Sequence, residues 1–480
     1  MNVNIGKLGK IIDCLTGEVW SQKKLFSEVN KRTAYLYNNG INNNSKLILA
    51  HGGSPAFFAD LFSCWNLGAM VACINPSIKK FEMENIVNFL EPDAIITNKN
   101  KINMSLNVST INLSKISSNT RSFKWKNISI LDNPSLMLFT SGTTGTPKGV
   151  VHTFRSIASR ISLNQKIIGS NVMDVSLCPL PTHFGHGLIG NCLTPLLNGD
   201  TLILLPGSDI KNIVNLGKFI DDYEVTFLSS VPTMWKIATK SQKPEKNTIK
   251  RVHVGSAPLS SDLWQEIIEW CGTKNVCNMY GITETANWLA GANANDCNPE
   301  DGLIGNMWGG EAMIIDKDNN FSSFGKGELI VQSPSLMSGY YKLEEQNKKV
   351  FINGWFRTGD IGEIDEKGNI RLTGRKKFEI NRAGLKVNPE DIDLLLEKSS
   401  FVMEACAFGI PDEIAGEIVG VAIKIDNKDN LDKVKEWCSN NLLKEKLPEK
   451  WYLVDEIPKS DRGKINRATV ASICLNLNNE

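Results

Sequence analysis

The residues best suited to chemistry lie between Phe139 and Gly149. Thr140, Ser141, Thr143, Thr144 and Thr146 bring hydroxyls, Gly142, Gly145 and Gly149 bring backbone freedom, and Lys148 brings one positive charge. Glycines let successive N–H groups turn inward to an anion, hydroxyls add neutral donors, and a lysine adds a point charge. The string therefore reads as a polyphosphate cradle. An apolar run, Leu136 to Phe139, precedes it as a short strand, and a helical pattern near Val151 is expected to follow, so the cradle is placed at a helix entrance. It is not a Walker A loop, because Lys148 is followed by Gly149 rather than Ser or Thr.

Two carboxylates and a second lysine stand in similarly punctuated settings. Glu284 follows Tyr280-Gly281-Ile282-Thr283, and a lone carboxylate there suits Mg²⁺, which takes one or two carboxylates plus substrate oxygens. Asp360 follows Thr358-Gly359, and its two oxygens suit a sugar diol. Lys464 follows Gly463 in a Pro/Gly-punctuated loop, where a mobile cation can neutralise charge as two anions meet. His183 and His186 are three apart, but with 5 histidines in the chain and no matching cysteine group a metal centre is discounted.

These residues need a scaffold. Short apolar runs alternate with helical patterns: strands at Lys46–Ala50, Ala94–Thr97, Val175–Cys178, Thr201–Leu205, Val225–Leu228 and Val252–Val254, helices at Phe57–Met70 and Asp262–Trp270. Leu61 to Ile74 reads as a buried helix, too short and too polar at Asn66 to span a bilayer. That alternation predicts α/β layers with largely parallel sheets and ligands at the carboxyl ends of strands. Residues 98 to 127 read as a polar surface excursion. Near Gly327 the pattern turns strand-rich. Beyond Lys377 a small α+β segment opens with Asn388 as N-cap and Pro389 at N1, followed by strands Met403–Phe408 and Val419–Ile425 and a helix Leu431–Leu443.

At 480 residues two or more domains are expected. The 53 Lys and Arg nearly cancel the 52 Asp and Glu, so composition points to no broad nucleic-acid or membrane surface and phosphate binding must be local. The 11 cysteines form no C-x-x-C pair, which with the apolar-poor N-terminus predicts a cytoplasmic protein.

The ordered motifs resemble those of the adenylate-forming superfamily of acyl- and aryl-CoA synthetases, luciferase and peptide synthetase adenylation domains. The phosphate string, Tyr280-Gly281-Ile282-Thr283-Glu284, Gly354 to Asp360, Gly374-Arg375-Lys376-Lys377 and Pro458 to Lys464 carry the resemblance, which covers nearly the whole chain. It implies a large N-terminal domain, 1–376, of layered α/β subdomains with a β-rich subdomain, holding the ATP and acyl sites. A small mobile α+β domain, 377–480, would rotate about Lys377. The resemblance assigns Thr144 and Glu284 to metal and phosphate, Tyr280 to adenine stacking, Gly255-Ser256-Ala257-Pro258 to the adenine floor, and Asp360 with Arg375 to the ribose. It makes Lys464 catalytic. His183 orients the carboxylate, and Phe184, Val254, Met279, Ala286 and Trp288 join it as walls of the acyl pocket.

The implied reaction joins a small carboxylic acid to a thiol with ATP and Mg²⁺, through an acyl-adenylate. Gly185 stands where amino-acid-activating relatives keep an Asp, so an acid without an α-amino group is favoured. Phe378 and Asn381 depart from the aryl-CoA synthetase pattern, leaving the acceptor open between CoA and the phosphopantetheine of an acyl carrier protein. An acid–amine ligase, an amino-acid adenylating enzyme and a non-catalytic nucleotide-binding homologue remain alternatives.

Overall fold

The computed structural model describes residues 8–98, 108–116, 131–140, 148–205, 209–316, 318–382, 385–412, 415–442, 444–459 and 464–477, the side chains of Thr140, Ser170, Lys377, Lys386, Glu445 and Leu477 excepted. The chain divides into two compact units. One comprises Met1–Pro299, Met307–Glu311 and Gln332–Phe356; the other comprises Glu300–Asn306, Ala312–Val331 and Arg357–Glu480.

In the first unit the expected strand–helix alternation builds two sheets. One orders Gly339–Tyr340, Lys148–Thr153, Pro134–Thr140, Met70–Cys73, Lys46–Leu49, Ala94–Ile96 and Ser109–Ile111. Its central pairs are parallel, as buried Val/Ile/Leu runs favour. The other runs from Trp288–Asn293 through Val276–Gly281, Arg251–Gly255, Phe227–Ser230, Val175–Cys178 and Thr201–Leu204 to Ile11–Asp13 and Val19–Trp20. A core of Phe57, Phe58, Phe62 and Trp65 on one helix face packs between layers, with successive rings 5.2, 6.5 and 6.1 Å apart.

Several local expectations change. The segment after the phosphate string is not a helix start. Pro134–Thr140 and Lys148–Thr153 pair antiparallel with Thr140 opposite Lys148, and the helix begins only at Phe154. Val150, Val151 and Thr153 are β-branched, which suits the strand, and Thr153 then caps the helix by accepting from the Ser156 N–H. The run expected as one buried helix, Leu61 to Ile74, is two elements. The helix Pro55–Asn66 stops before Gly68 at φ +77°, and Met70–Cys73 enters the sheet. Residues 98–127 are not wholly an excursion: Ser109–Ile111 adds an edge strand and Leu113 is buried, while 99–107 and 117–130 lie outside the described residues. Pro389 does open a helix, Pro389–Glu397, but the Asn388 side chain makes no capping bond.

The second unit is strand-rich and mainly antiparallel. Trp355–Ile364 pairs with Ile370–Arg375, and Val402–Asp412 pairs with Gly416–Ile425, which Lys450–Leu453 joins in parallel. The unit takes in segments before residue 377, so its limits differ from a single cut between 376 and 377. Its two apolar clusters, around Ile392, Leu396 and Val421 and around Phe408, Tyr452 and Val470, draw their residues from Ile380 onward. Among the described residues no helix is long and apolar enough to cross a membrane.

Candidate active site

Glu284 lies on a short turn, Thr283–Thr285, just after the strand Val276–Gly281 that carries Tyr280 and Gly281. Its carboxylate accepts from the Tyr340 hydroxyl at 2.7 Å, and the Lys148 ammonium stands 3.9 Å away. That ammonium also sits over the Tyr340 ring, 3.7 Å from its centroid. Burial and the Glu284 charge together hold the Tyr340 phenol well above its usual range, so it stays a donor. Lys148, Glu284 and Tyr340 thus converge from three chain segments on one charged corner.

The backbone of this corner is tied down separately. Met337 N–H donates to the Glu284 carbonyl at 2.8 Å, and the Ser335 hydroxyl to the Thr285 carbonyl at 3.1 Å. Arg160, fully buried, donates to the Ser335 hydroxyl at 2.7 Å and to the Trp308 carbonyl at 2.9 Å. His152 donates through Nε2 to the Thr283 carbonyl at 2.8 Å, and burial pushes its pKa down to about 4, so it remains neutral. Sequence reasoning missed Tyr340, Arg160, His152 and Ser335. The one local cue was Gly339-Tyr340 after a polar turn. Arg160 and His152 read as ordinary helix and strand residues, and their roles come from contacts more than a hundred residues away.

The adenine-floor candidates fall on the loop after Arg251–Gly255. A Cβ at Gly255 would stand 2.6 Å from the Met279 carbonyl oxygen, so the two strands approach as only glycine allows. Ser256 adopts φ +71°, an unusual region for a serine. Its hydroxyl pairs with His186 Nδ1 at 2.8 Å, while His186 Nε2 pairs with the Ser229 hydroxyl at 2.6 Å. His186 opens a π-helix, His186–Leu193, an element frequent at functional sites. It is therefore a hydrogen-bonded organiser of the Ser256 loop. No group of three or more His, Cys, Asp or Glu able to hold a metal occurs among the described residues.

The acyl-pocket candidates divide. His183 and Phe184 are half-buried with ring centroids 4.0 Å apart, and Thr182 beside them accepts from the Gly53 N–H at 3.0 Å. Val254 and Ala286 are fully buried, and Ala286 has φ +69°. Met279 and Trp288 belong to an aromatic core with Phe227 and Trp308. The Trp288 ring lies 5.8 Å from His186 and 4.5 Å from His253, edge to face in both cases.

In the second unit Asp360 is nearly fully buried within the strand Trp355–Ile364. Its register partner is Arg375, whose Nε meets the carboxylate at 2.6 Å. Alongside, Glu328 takes Arg357 at 2.5 Å and Lys376 at 3.1 Å, holding it below the usual carboxylate range despite its burial. Lys377 lies in a single tight turn, Lys376–Phe378. Lys464 is half-buried beside a closure in which Lys459 bridges Ile465. Ser141, Gly142, Thr143, Thr144, Gly145 and Thr146 lie outside the described residues, as does the Thr140 side chain.

Known proteins give this arrangement its context. A probable CoA ligase of Humulus lupulus is 32% identical over 349 residues, covering 70% of this chain and 65% of that protein. An oxalate–CoA ligase of Arabidopsis thaliana is 30% identical over 348 residues, covering 71% of this chain and 67% of that protein. The chain thus spans about two thirds of the length of these curated relatives. The ATP-bound crystal structure of MatB from Rhodopseudomonas palustris superposes with a TM-score of 0.88 at 23% identity, covering 98% of this chain and 99% of that one, which shows a shared fold. The family model described as AMP-binding enzyme matches residues 10–341, and that of the AMP-binding enzyme C-terminal domain matches residues 391–464. With the first of these spanning the residues that carry Lys148, Glu284 and Tyr340, the chain belongs to the AMP-binding enzyme family.

Proposed function

We propose that the chain is an ATP-dependent acid–thiol ligase. A carboxylate oxygen attacks the α-phosphorus of ATP, forming an acyl–phosphate bond as the bond to pyrophosphate breaks. A thiolate then attacks the acyl carbon, forming a thioester and releasing AMP. The observation that carries this reading is the Lys148–Glu284–Tyr340 corner at the strand following the phosphate string. Lys148 and the hydroxyls of 140–146 would take the β- and γ-phosphates. Glu284, a single carboxylate oriented by a neutral phenol, fits Mg²⁺, which keeps waters and phosphate oxygens as its other ligands. When bound, that ion offsets phosphate charge.

Tyr280, with Gly255, Ser256, Ala257 and Pro258, would receive adenine. Thr283 would stand beside the phosphates, and Asp360, its charge held by Arg375, would accept from the ribose hydroxyls. His183 and Phe184 would face the acid. CoA is the favoured thiol, since the relatives named above are CoA ligases; a carrier-protein phosphopantetheine is the other acceptor to assay. The reading places the protein in the cytoplasm, where ATP and reduced thiols coexist. Acid-dependent exchange of pyrophosphate into ATP tests it. Exchange should require both acid and Mg²⁺, and its absence across a broad acid panel would overturn the ligase reading.

Residues 377–480 are proposed to turn about Lys377 between the two half-reactions, a reading supported by apolar clusters that begin at Ile380. Proline at 377 would push Lys376 out of the helical region it occupies in the Lys376–Phe378 turn. Lys377→Pro is therefore expected to split the half-reactions, one falling about tenfold or more, as a blocked conformer demands, and the other persisting. Equal loss in both, in a variant with the parent melting curve, would remove the hinge from this residue.

A further inference from the structure

Around the first turn of the π-helix the chain gathers hydrogen-bond donors and leaves them without acceptors. The indole N–H of Trp288 is buried and unpartnered, as is the amide nitrogen of Asn287. Both lie against Gly190: a Cβ there would stand 1.8 Å from the Asn287 nitrogen and 2.9 Å from Trp288 Cζ2, the ring carbon next to the N–H edge. His253 adds a third donor. Arg251 donates to its Nε2 at 2.9 Å, so a neutral His253 carries its proton on Nδ1, which is buried and has no acceptor.

The Ser229–His186–Ser256 chain adds a fourth. A neutral imidazole has one N–H and one lone pair. One serine hydroxyl donates to the lone pair, and the other accepts the N–H. The accepting serine keeps its own hydroxyl proton, and among the described residues neither serine hydroxyl makes another hydrogen bond. The N–H groups of Trp288, Asn287 and His253 are thus unmet donors, and the Asn191 side-chain oxygen further along the π-helix is an unmet acceptor. Buried donors left unmet are costly, and native structures pair them with protein, water or ligand.

We propose that the acid activated by this chain carries a further oxygen acceptor, an oxo, hydroxyl or second carboxylate oxygen, received by the Trp288 N–H and the serine hydroxyl left free beside His186. The inference rests on the ligase reading and on the acyl group lying next to Phe184 and Trp288. It disfavours an unsubstituted hydrocarbon chain, which would bury these N–H groups unmet.

The test uses the purified full chain and matched acids: butanoate against succinate and 3-oxobutanoate, and propanoate against malonate. Acid-dependent pyrophosphate exchange is read as kcat/KM for each. The acceptor-bearing member of each pair should lead by about tenfold or more, the scale of one or two buried hydrogen bonds. Trp288→Phe keeps an aromatic ring and deletes the N–H, and should collapse that ratio through KM. Ser229→Ala and Ser256→Ala provide a second route should the tryptophan variant melt early. A lead by the hydrocarbon acids, or an unchanged ratio in the folded variants, would overturn the proposal and leave these donors serving internal water. Exchange with neither class, in these pairs and across the broad acid panel, would overturn the ligase reading itself, a different result from exchange with the wrong class.

Discussion

Replacing Lys464 by alanine is expected to lower acyl-adenylate formation by about 10²–10³-fold, the scale of one electrostatic donor lost from a transition state. Transfer of the acyl group from supplied acyl-adenylate to thiol should persist. The first half-reaction brings a carboxylate against a phosphate, and a cation shared by both offsets their repulsion. The second has a neutral acyl carbon as its target and needs no such bridge.

Backbone bonds close the chain on either side of this lysine. Lys459 bridges Ile465, and the Asn466 N–H returns to the Pro458 carbonyl at 3.2 Å, so both ends of the loop are closed. Three residues on, Arg467 opens the last helix and is clamped by Asp393 at 2.8 Å and Glu390 at 3.4 Å, with its guanidinium over the Phe378 ring. Residues 460–463 lie outside the described residues. Single-turnover assays of each half-reaction, with melting curves, check the expectation. Equal loss in both steps would end the assignment of Lys464 to adenylation.

The fold's alternation was legible because strands buried on both faces read as continuous apolar runs, as at Val175–Cys178 and Thr201–Leu204. Turn chemistry was less so. Gly68 divides one apolar run into a helix and a strand, and apolar content alone could not place the break. The Gly/Thr-rich string stood out by composition, yet its setting did not. Whether a helix or a strand follows depends on the partner strand Pro134–Thr140, which periodicity near Val151 does not reveal. Lys148 and Glu284 could be singled out by type and setting, but the groups that contact them could not. Tyr340 reaches Glu284 across 56 positions and Arg160 reaches Ser335 across 175, distances over which one sequence gives no pairing signal. His186 drew attention only as a metal candidate, and its spacing from His183 gave no sign of its hydrogen bonds to Ser256 and Ser229.

Glu284→Gln should raise the Mg²⁺ concentration needed for half-maximal pyrophosphate exchange by about 10- to 100-fold or more, since even partners one step removed from a metal ligand contribute that much. Glutamine keeps the shape and can still accept from the Tyr340 hydroxyl, so the bond seen at 2.7 Å survives and only the negative charge is lost. Lys148, 3.9 Å from the carboxylate, would lose a weak, partly screened attraction of about 1 kcal/mol or less. The turn itself stays anchored through backbone groups, Met337 N–H on the Glu284 carbonyl and Ser335 on Thr285, which the substitution does not touch. Thermal stability should therefore stay near that of the parent while the metal dependence shifts. A carboxylate serving only to pin Lys148 and Tyr340 gives the opposite pattern, with a lower melting temperature and an unchanged magnesium curve, and that outcome would remove Glu284 from the metal site.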